Sequence, residues 1–470
     1  MKILKKYILI IAIIPILFSC DDYLDVIPAG AIIPKTVDDY EDILNSPVVY
    51  DKIWPPCDFP VGSDELRAIG TIRKLDQRNL YTWQSPTYGP SEEPLIWSSF
   101  YKAIYSHNVI LNSINDVTGD PLKIKEIEGE ALLGRGFEHL MLLNLFSKPY
   151  NASTANSDPG IPYVTVADIN EDTPSRLTIE KTYELIIKDL KKAIALLPET
   201  QEVNYRGTKS AAYGVLARLY LYKGDYNLAL ENANKAMAGN EFRFLNYVAY
   251  YTAPSERRSA EDQAFKDESI YFKSLNNRLD DFKLTHQFID SFEDFPGGPG
   301  FSFGSPDGPW MGFKDLRLAI IGGFGFLFDG YDADIRLRSR IYYGVTYPEM
   351  LLTKAEALVR DNHLAEALNA LNLLRRNRIR NYVDATSANQ DEILTWVLDE
   401  RRKETFQNGL RWFDMRRLAV EGRLGTITRE TNIPGVGLTT FTLVPNGNNY
   451  TYQIPAVVIQ KNPEMEQNVQ

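Results

Sequence analysis

The sequence predicts a mostly α-helical fold on tetratricopeptide-like repeats, with a loop-rich, irregular half and short strands. Three observations carry this. Residues 97–240 and 345–420 hold apolar side chains at helical spacing. Inside these stretches a helix–turn–helix pattern occurs twice. Residues 50–95 and 241–345 lack the helical period and are dense in Gly, Pro and aromatic residues.

In chain order, Thr36 opens a helix, with Asp39 placed to complete a capping box. Residues 50–95 are turn-rich and carry Trp54, Phe59, Tyr81, Trp83 and Tyr88. Helical period resumes at Trp97, with Ile104, Ile110, Leu111 and Ile114 on one face. A second long helix is expected over Glu126–Phe146. Tyr213, Leu216, Ala217 and Tyr220 then have the spacing of a tetratricopeptide first helix, Gly224-Asp225 makes the turn, and Ala229, Ala233 and Ala236 follow at second-helix spacing, with Gly239 as the stop. Ala355, Leu358, Ala367, Leu371 and Leu374 form a weaker copy, and the interval from Ala355 to Ala367 equals that from Ala217 to Ala229. Such arrays serve as architecture or as protein-contact surfaces. The tail from Thr426 has strand-like runs, among them Phe441–Val444.

The first residues, MKILKKYILIIAIIPILFSC, read as an export signal. Lys2, Lys5 and Lys6 precede an apolar run from Tyr7 to Phe18 that is too short to span a bilayer. Cys20 sits where cleavage is expected and Asp21 and Asp22 follow, the pattern of a bacterial lipoprotein whose cysteine is acylated. The alternative is an ordinary secretory signal with a nearby cysteine. Residues 1–19 are expected to be the signal peptide and residues 20–470 a single domain. The anchor would then be lipid alone, since no later segment is long and apolar enough to cross a membrane.

Composition narrows the function. The chain has 470 residues and a net charge of −11. The first 19 residues hold three lysines and no acid, so their loss leaves an even more acidic protein. An acidic chain with no basic block is a poor nucleic-acid binder. With only two cysteines, lipid on Cys20 would leave Cys57 without a partner, so stability must come from a large conventional core. Tyrosine, at 27, outnumbers phenylalanine, at 22, which suits rings with one wet end at a binding surface, although a large helical core uses tyrosine as well.

Catalytic signatures are sparse. Gly300-Phe301-Ser302-Phe303-Gly304 matches a nucleophile-elbow string, but prolines on both sides exclude the strand and helix that motif requires. The sequence has no phosphate-cradling glycine loop and no paired-histidine zinc motif. Of the four histidines, His107 and His139 fall on helices. No catalytic residue, metal ligand or cofactor is expected. A carboxylate pair for glycoside hydrolysis stays open, because the separation it needs is three-dimensional.

What remains is a binding surface. Sugar rings pack their C–H faces on flat aromatic rings and need a few polar partners at the rim. The loop-borne candidates are Trp54, Trp83, Trp310, Tyr88, Phe301 and Phe303, with Asp58, Asp64, Asn79 and Gln84 as polar partners. Core packing is the competing role for each. Trp97 and Trp412 carry helical face periodicity and are assigned to the core.

Several blocks add up: CDDYLDVIP after the signal, WSSFYKAIYSHNVIL at 97–111, EGEALLGRGFEHLMLLNLFSKPY at 128–150, YPEMLLTKAEAL at 347–358, LDERRKETFQNGLRWFDMRRL at 398–418 and the closing YQIPAVVIQKNPEMEQN. Together they resemble the SusD/RagB family of outer-membrane nutrient-binding lipoproteins of Bacteroidota. The resemblance implies a helical scaffold, with the loop-rich half bearing the ligand site and Trp83 in the region of a ligand-stacking aromatic. It also implies glycan binding, or peptide binding in some members, without catalysis. The implied partner is a SusC-type TonB-dependent transporter, and the implied place is the cell outer membrane, facing outward. Glu400, Arg401, Arg402, Glu404 and Arg411 are read as a structural ionic network.

Overall fold

The computed structural model describes residues 34–52, 56–168, 170–239, 244–252, 267–279, 281–292, 314–317, 340–406 and 408–469. Helices begin where a side chain can satisfy the first free backbone N–H groups. Thr36 and Asp39 form the expected capping box at the start of α1, Val37–Leu44. After α2, Leu75–Thr82, and α3, Leu95–Ser113, Asp120 caps α4, Pro121–Phe146. Helix α4 therefore starts five residues before the expected Glu126. Its first turn leaves Leu122 exposed, so apolar periodicity does not mark the start, while the Asp-Pro pair is a helix-start signal. Thr178, Thr208 and Asp225 cap α5, Ile179–Leu196, α6, Lys209–Lys223, and α7, Tyr226–Met237. Thr346 caps α8, Tyr347–Arg360, which leads into α9, Leu364–Arg378. Then come α10, Gln390–Glu404, capped by Asn389, and α11, Arg411–Val420.

These helices stack as a running array. Helix α3 packs on α4, α4 on α5, α5 on α6 and α6 on α7. Helix α7 then packs on α8, which also meets α9 and α10. The two repeat hairpins, α6–α7 and α8–α9, are thus neighbours in space although a long segment separates them in sequence. The small residues that mark the repeats make this approach possible. Ala217, Ala229, Ala233, Ala236, Ala355 and Ala367 are all fully buried. A Cβ on Gly214 would lie 2.6 Å from Val345 Cγ1. Gly224 has φ +79°, the left-handed conformation that ends α6 and that a side chain would strain.

The irregular half is stitched by short ladders. Ser274–Asn276 pairs in parallel with Asp51–Lys52 and antiparallel with Arg340–Tyr342. Leu66–Ala68 pairs with Phe282–Leu284, and Ser269–Tyr271 with Val345–Thr346. These pairings bring the two loop-rich stretches together. The expected tail strand is one arm of a hairpin, Ile427–Ile433 with Gly437–Leu443.

The predicted ionic block joins the halves. Glu400 holds Arg317 at 2.7 Å and Arg375 at 2.6 Å, and Arg401 holds Asp414 at 2.9 Å. Glu404 and Glu268 share Arg378, each at 2.8 Å, and Arg411 meets Asp64 at 2.7 Å. Trp97 and Trp412 are buried in the core, as their periodicity implied. Among the described residues no helix is long and apolar enough to cross a membrane.

Candidate functional site

The candidate loop residues separate into two groups. Cys20, Trp54, Phe301, Ser302, Phe303 and Trp310 lie outside the described residues. The others can be placed, and all but Gln84 are buried or half-buried.

Trp83 follows α2 in the left-handed conformation, φ 54°, an unusual state for an aromatic residue. Its backbone N–H closes the end of α2, and its indole N–H donates to the Gly62 carbonyl at 2.9 Å. The Arg429 guanidinium, from the tail hairpin, lies 4.3 Å from the ring centres of both Trp83 and Tyr81. Arg429 also donates to the carbonyls of Tyr81, Val61, Gly62 and Ser63. Burial pulls its pKa down to about 10. Trp83 is 3% exposed, so its ring is the packed centre of this joint and offers no face to a ligand.

Tyr88 is 4% exposed, and its hydroxyl oxygen accepts the Ile96 N–H at 3.1 Å at the start of α3. Asp58, 2% exposed, accepts from Gln77 and from the Arg278 backbone and guanidinium. Burial raises its carboxyl pKa, although Arg278 opposes the shift. Asn79 is half-buried and donates to the Pro86 carbonyl at 2.7 Å. Asp64 is locked to Arg411, while Gln84 is exposed. Non-periodic segments give no sequence signal for which side faces inward, and that is why these residues could be read as surface groups.

An open pocket on the described surface lies elsewhere, at the turn edge of the helical array. Its volume is about 500 Å³, and it is lined by Tyr150, Lys223, Asp225, Tyr226, Asn227 and Arg360, among others. Two matching triads build it. The Tyr150 hydroxyl donates to Glu180 at 2.8 Å, Glu180 holds Lys223 Nζ at 2.5 Å, and that ammonium lies 5.2 Å from the Tyr150 ring centre. The Tyr226 hydroxyl donates to Glu421 at 2.8 Å, Glu421 holds Arg360 at 2.7 Å, and that guanidinium lies 4.3 Å from the Tyr226 ring centre. Each tyrosine is fixed at its hydroxyl and over its ring. Burial, and then the Glu180 hydrogen bond, raise the Tyr150 pKa to about 12. Neither tyrosine stands out in sequence. Tyr150 ends the block at 128–150 and Tyr226 follows the repeat turn, but the glutamates and cations that complete the triads come from four different helices or their ends.

Comparison with known proteins gives the family. One SusD-like family model, described as starch-binding associating with outer membrane, matches residues 22–221, and a SusD family model matches residues 345–470. SusD-like protein P2 of Formosa agariphila is 24% identical over 377 residues, 68% of this chain and 71% of that protein. A SusD-like protein of Bacteroides ovatus is 25% identical over 305 residues, 61% of this chain and 50% of that protein. Among solved structures, a SusD superfamily protein from Bacteroides vulgatus has a TM-score of 0.69 at 21% identity, covering 93% of this chain and 99% of its own. A SusD superfamily protein from Bacteroides thetaiotaomicron has a TM-score of 0.69 at 20% identity, with coverage of 93% and 100%. A SusD-like carbohydrate binding protein from Bacteroides fragilis has a TM-score of 0.65 at 17% identity, with coverage of 92% and 99%. With SusD family models matching residues 22–221 and 345–470, together more than two thirds of the sequence, the chain belongs to the SusD/RagB family.

Proposed function

We propose that this protein is a surface lipoprotein that binds glycans and passes them to a SusC-type TonB-dependent transporter. The observation that carries the reading is family membership. SusD proteins are non-catalytic carbohydrate binders of nutrient uptake that work with such transporters at the outer membrane. In this reading Cys20 bears the lipid and residues 20–470 act as one binding domain without catalytic groups. Trp54, Phe301, Phe303 and Trp310 remain the loop-borne candidates for stacking on sugar rings, since Trp83, Tyr88 and Asp58 are committed to the core.

The test is calorimetric titration of residues 21–470 with neutral oligosaccharides and, in parallel, with peptides. Saturable sugar binding that weakens in Trp310→Ala supports the reading and that assignment. Sugar binding unchanged by Trp54→Ala and Trp310→Ala rejects those contacts. Peptide binding without sugar binding moves the protein to a peptide-capturing role, and release of shortened sugars by purified protein would make it a glycosidase.

A further inference from the structure

The pocket at the turn edge of the helical array is distant in sequence from every loop-borne candidate above, and its chemistry is selective. It presents two tyrosines whose orientation is fixed before any ligand arrives, one by Glu180 and Lys223, the other by Glu421 and Arg360. Pre-fixed aromatic side chains lose little freedom on binding, so more of their contact energy appears as affinity. The pocket volume, about 500 Å³, falls within the range of small-ligand sites.

The charge pattern states which ligand fits. Lys223 is paired with Glu180, and Arg360 with both Glu356 and Glu421. Asp225 accepts the Leu228 N–H as the cap of α7, and Asp361 lies 3.1 Å from His363 Nδ1. Each cation at the site already has a carboxylate partner. An anion would have to compete with these pairs for its counter-charge. A neutral polyhydroxyl ring would not, because carboxylate oxygens and the Asn227 amide retain spare hydrogen-bonding capacity, and the tyrosine rings suit its C–H groups.

We infer that the Tyr150–Tyr226 pocket is a second saccharide-binding site for pyranose units that carry no acidic group, distant in sequence from the loop-borne candidates. This inference rests on the glycan-binding reading above.

The test is titration of residues 21–470 with maltohexaose, cellohexaose and mannohexaose, comparing wild type with Tyr150→Ala, Tyr226→Ala and Asn227→Trp. Asn227 is exposed, so Asn227→Trp fills the pocket without disturbing the core. The expected result is loss of one class of site from the isotherm, or about a three- to tenfold fall in affinity, in all three variants. Trp310→Ala would reduce the other class. If a hexasaccharide binds the wild type and all three pocket variants bind it identically, the inference is overturned while the glycan reading stands. If none of the hexasaccharides binds the wild type, both fall. If the pocket variants lose association with a co-expressed transporter but keep sugar binding unchanged, the pocket is a protein contact and the inference is overturned.

Discussion

Arg218 on α6 and Glu349 on α8 face each other at 2.6 Å, with 0% and 1% of their side chains exposed. Arg218 also donates to the carbonyls of Tyr343 and Gly344, the bend that leads into α8. One guanidinium therefore fixes how the second repeat docks on the first. Removing one partner of a buried pair leaves the other charge unmatched, at a cost of about 3–5 kcal/mol. Glu349→Gln is expected to lower the unfolding free energy by that order in urea titrations. An unchanged midpoint would show that the pair is dispensable.

Trp83 sits where Arg429 pins the tail hairpin to α2 and the 59–63 segment. Truncating a buried tryptophan costs about 3–5 kcal/mol. Trp83→Ala should therefore lose stability, and should make the hairpin at 427–443 easier to cut by protease. A variant with wild-type stability and reduced sugar affinity would instead place Trp83 at the ligand.

Gly134 lies inside α4, where alanine would gain about 0.8–1.0 kcal/mol in helix propensity. A Cβ there would collide with the imidazole of the fully buried His107. Overpacking of this kind costs about 1–3 kcal/mol or more, so the clash is expected to win. Gly134→Ala should melt at a lower temperature than wild type, and a rise would show that His107 can move aside.

Acid should loosen the ionic block. Burial pushes the Glu400 carboxyl pKa up, but Arg317 and Arg375 outweigh it and hold the value at about 2, below the ordinary 4.5. The folded value is depressed, so this stabilisation is present above about pH 4.5 and is lost as pH falls towards 2. Glu65 has the opposite sign. Burial lifts it to about 8 against the pull of Arg402 and Arg411, so its contribution is greatest below pH 4.5 and fades as pH rises through 8. Urea midpoints measured from pH 5 to pH 2 should fall in wild type and fall less in Glu400→Gln. Equal slopes would remove Glu400 from the account.

The scaffold was legible because its signals are local. The Thr36–Asp39 box, the Gly224 turn and the alanines of both repeats each carry a spacing that dictates geometry. The charged block at 400–411 was legible too, since many charges on helices with apolar faces must find partners when buried. The loop residues were not. Trp83 and Tyr88 lie in segments without a period, where partners such as Arg429 come from the far end of the chain. The pocket triads escaped for the same reason: Glu180 and Glu421 are remote from the tyrosines they hold, and only the packed array brings them together.

The most direct test of glycan capture is native gel electrophoresis of residues 21–470 through gels containing plant, host and microbial polysaccharides. Retardation by at least one neutral polymer is expected, and weaker retardation in Trp310→Ala and Asn227→Trp. Unretarded migration through every polymer, with saturable binding of a peptide instead, would contradict glycan capture.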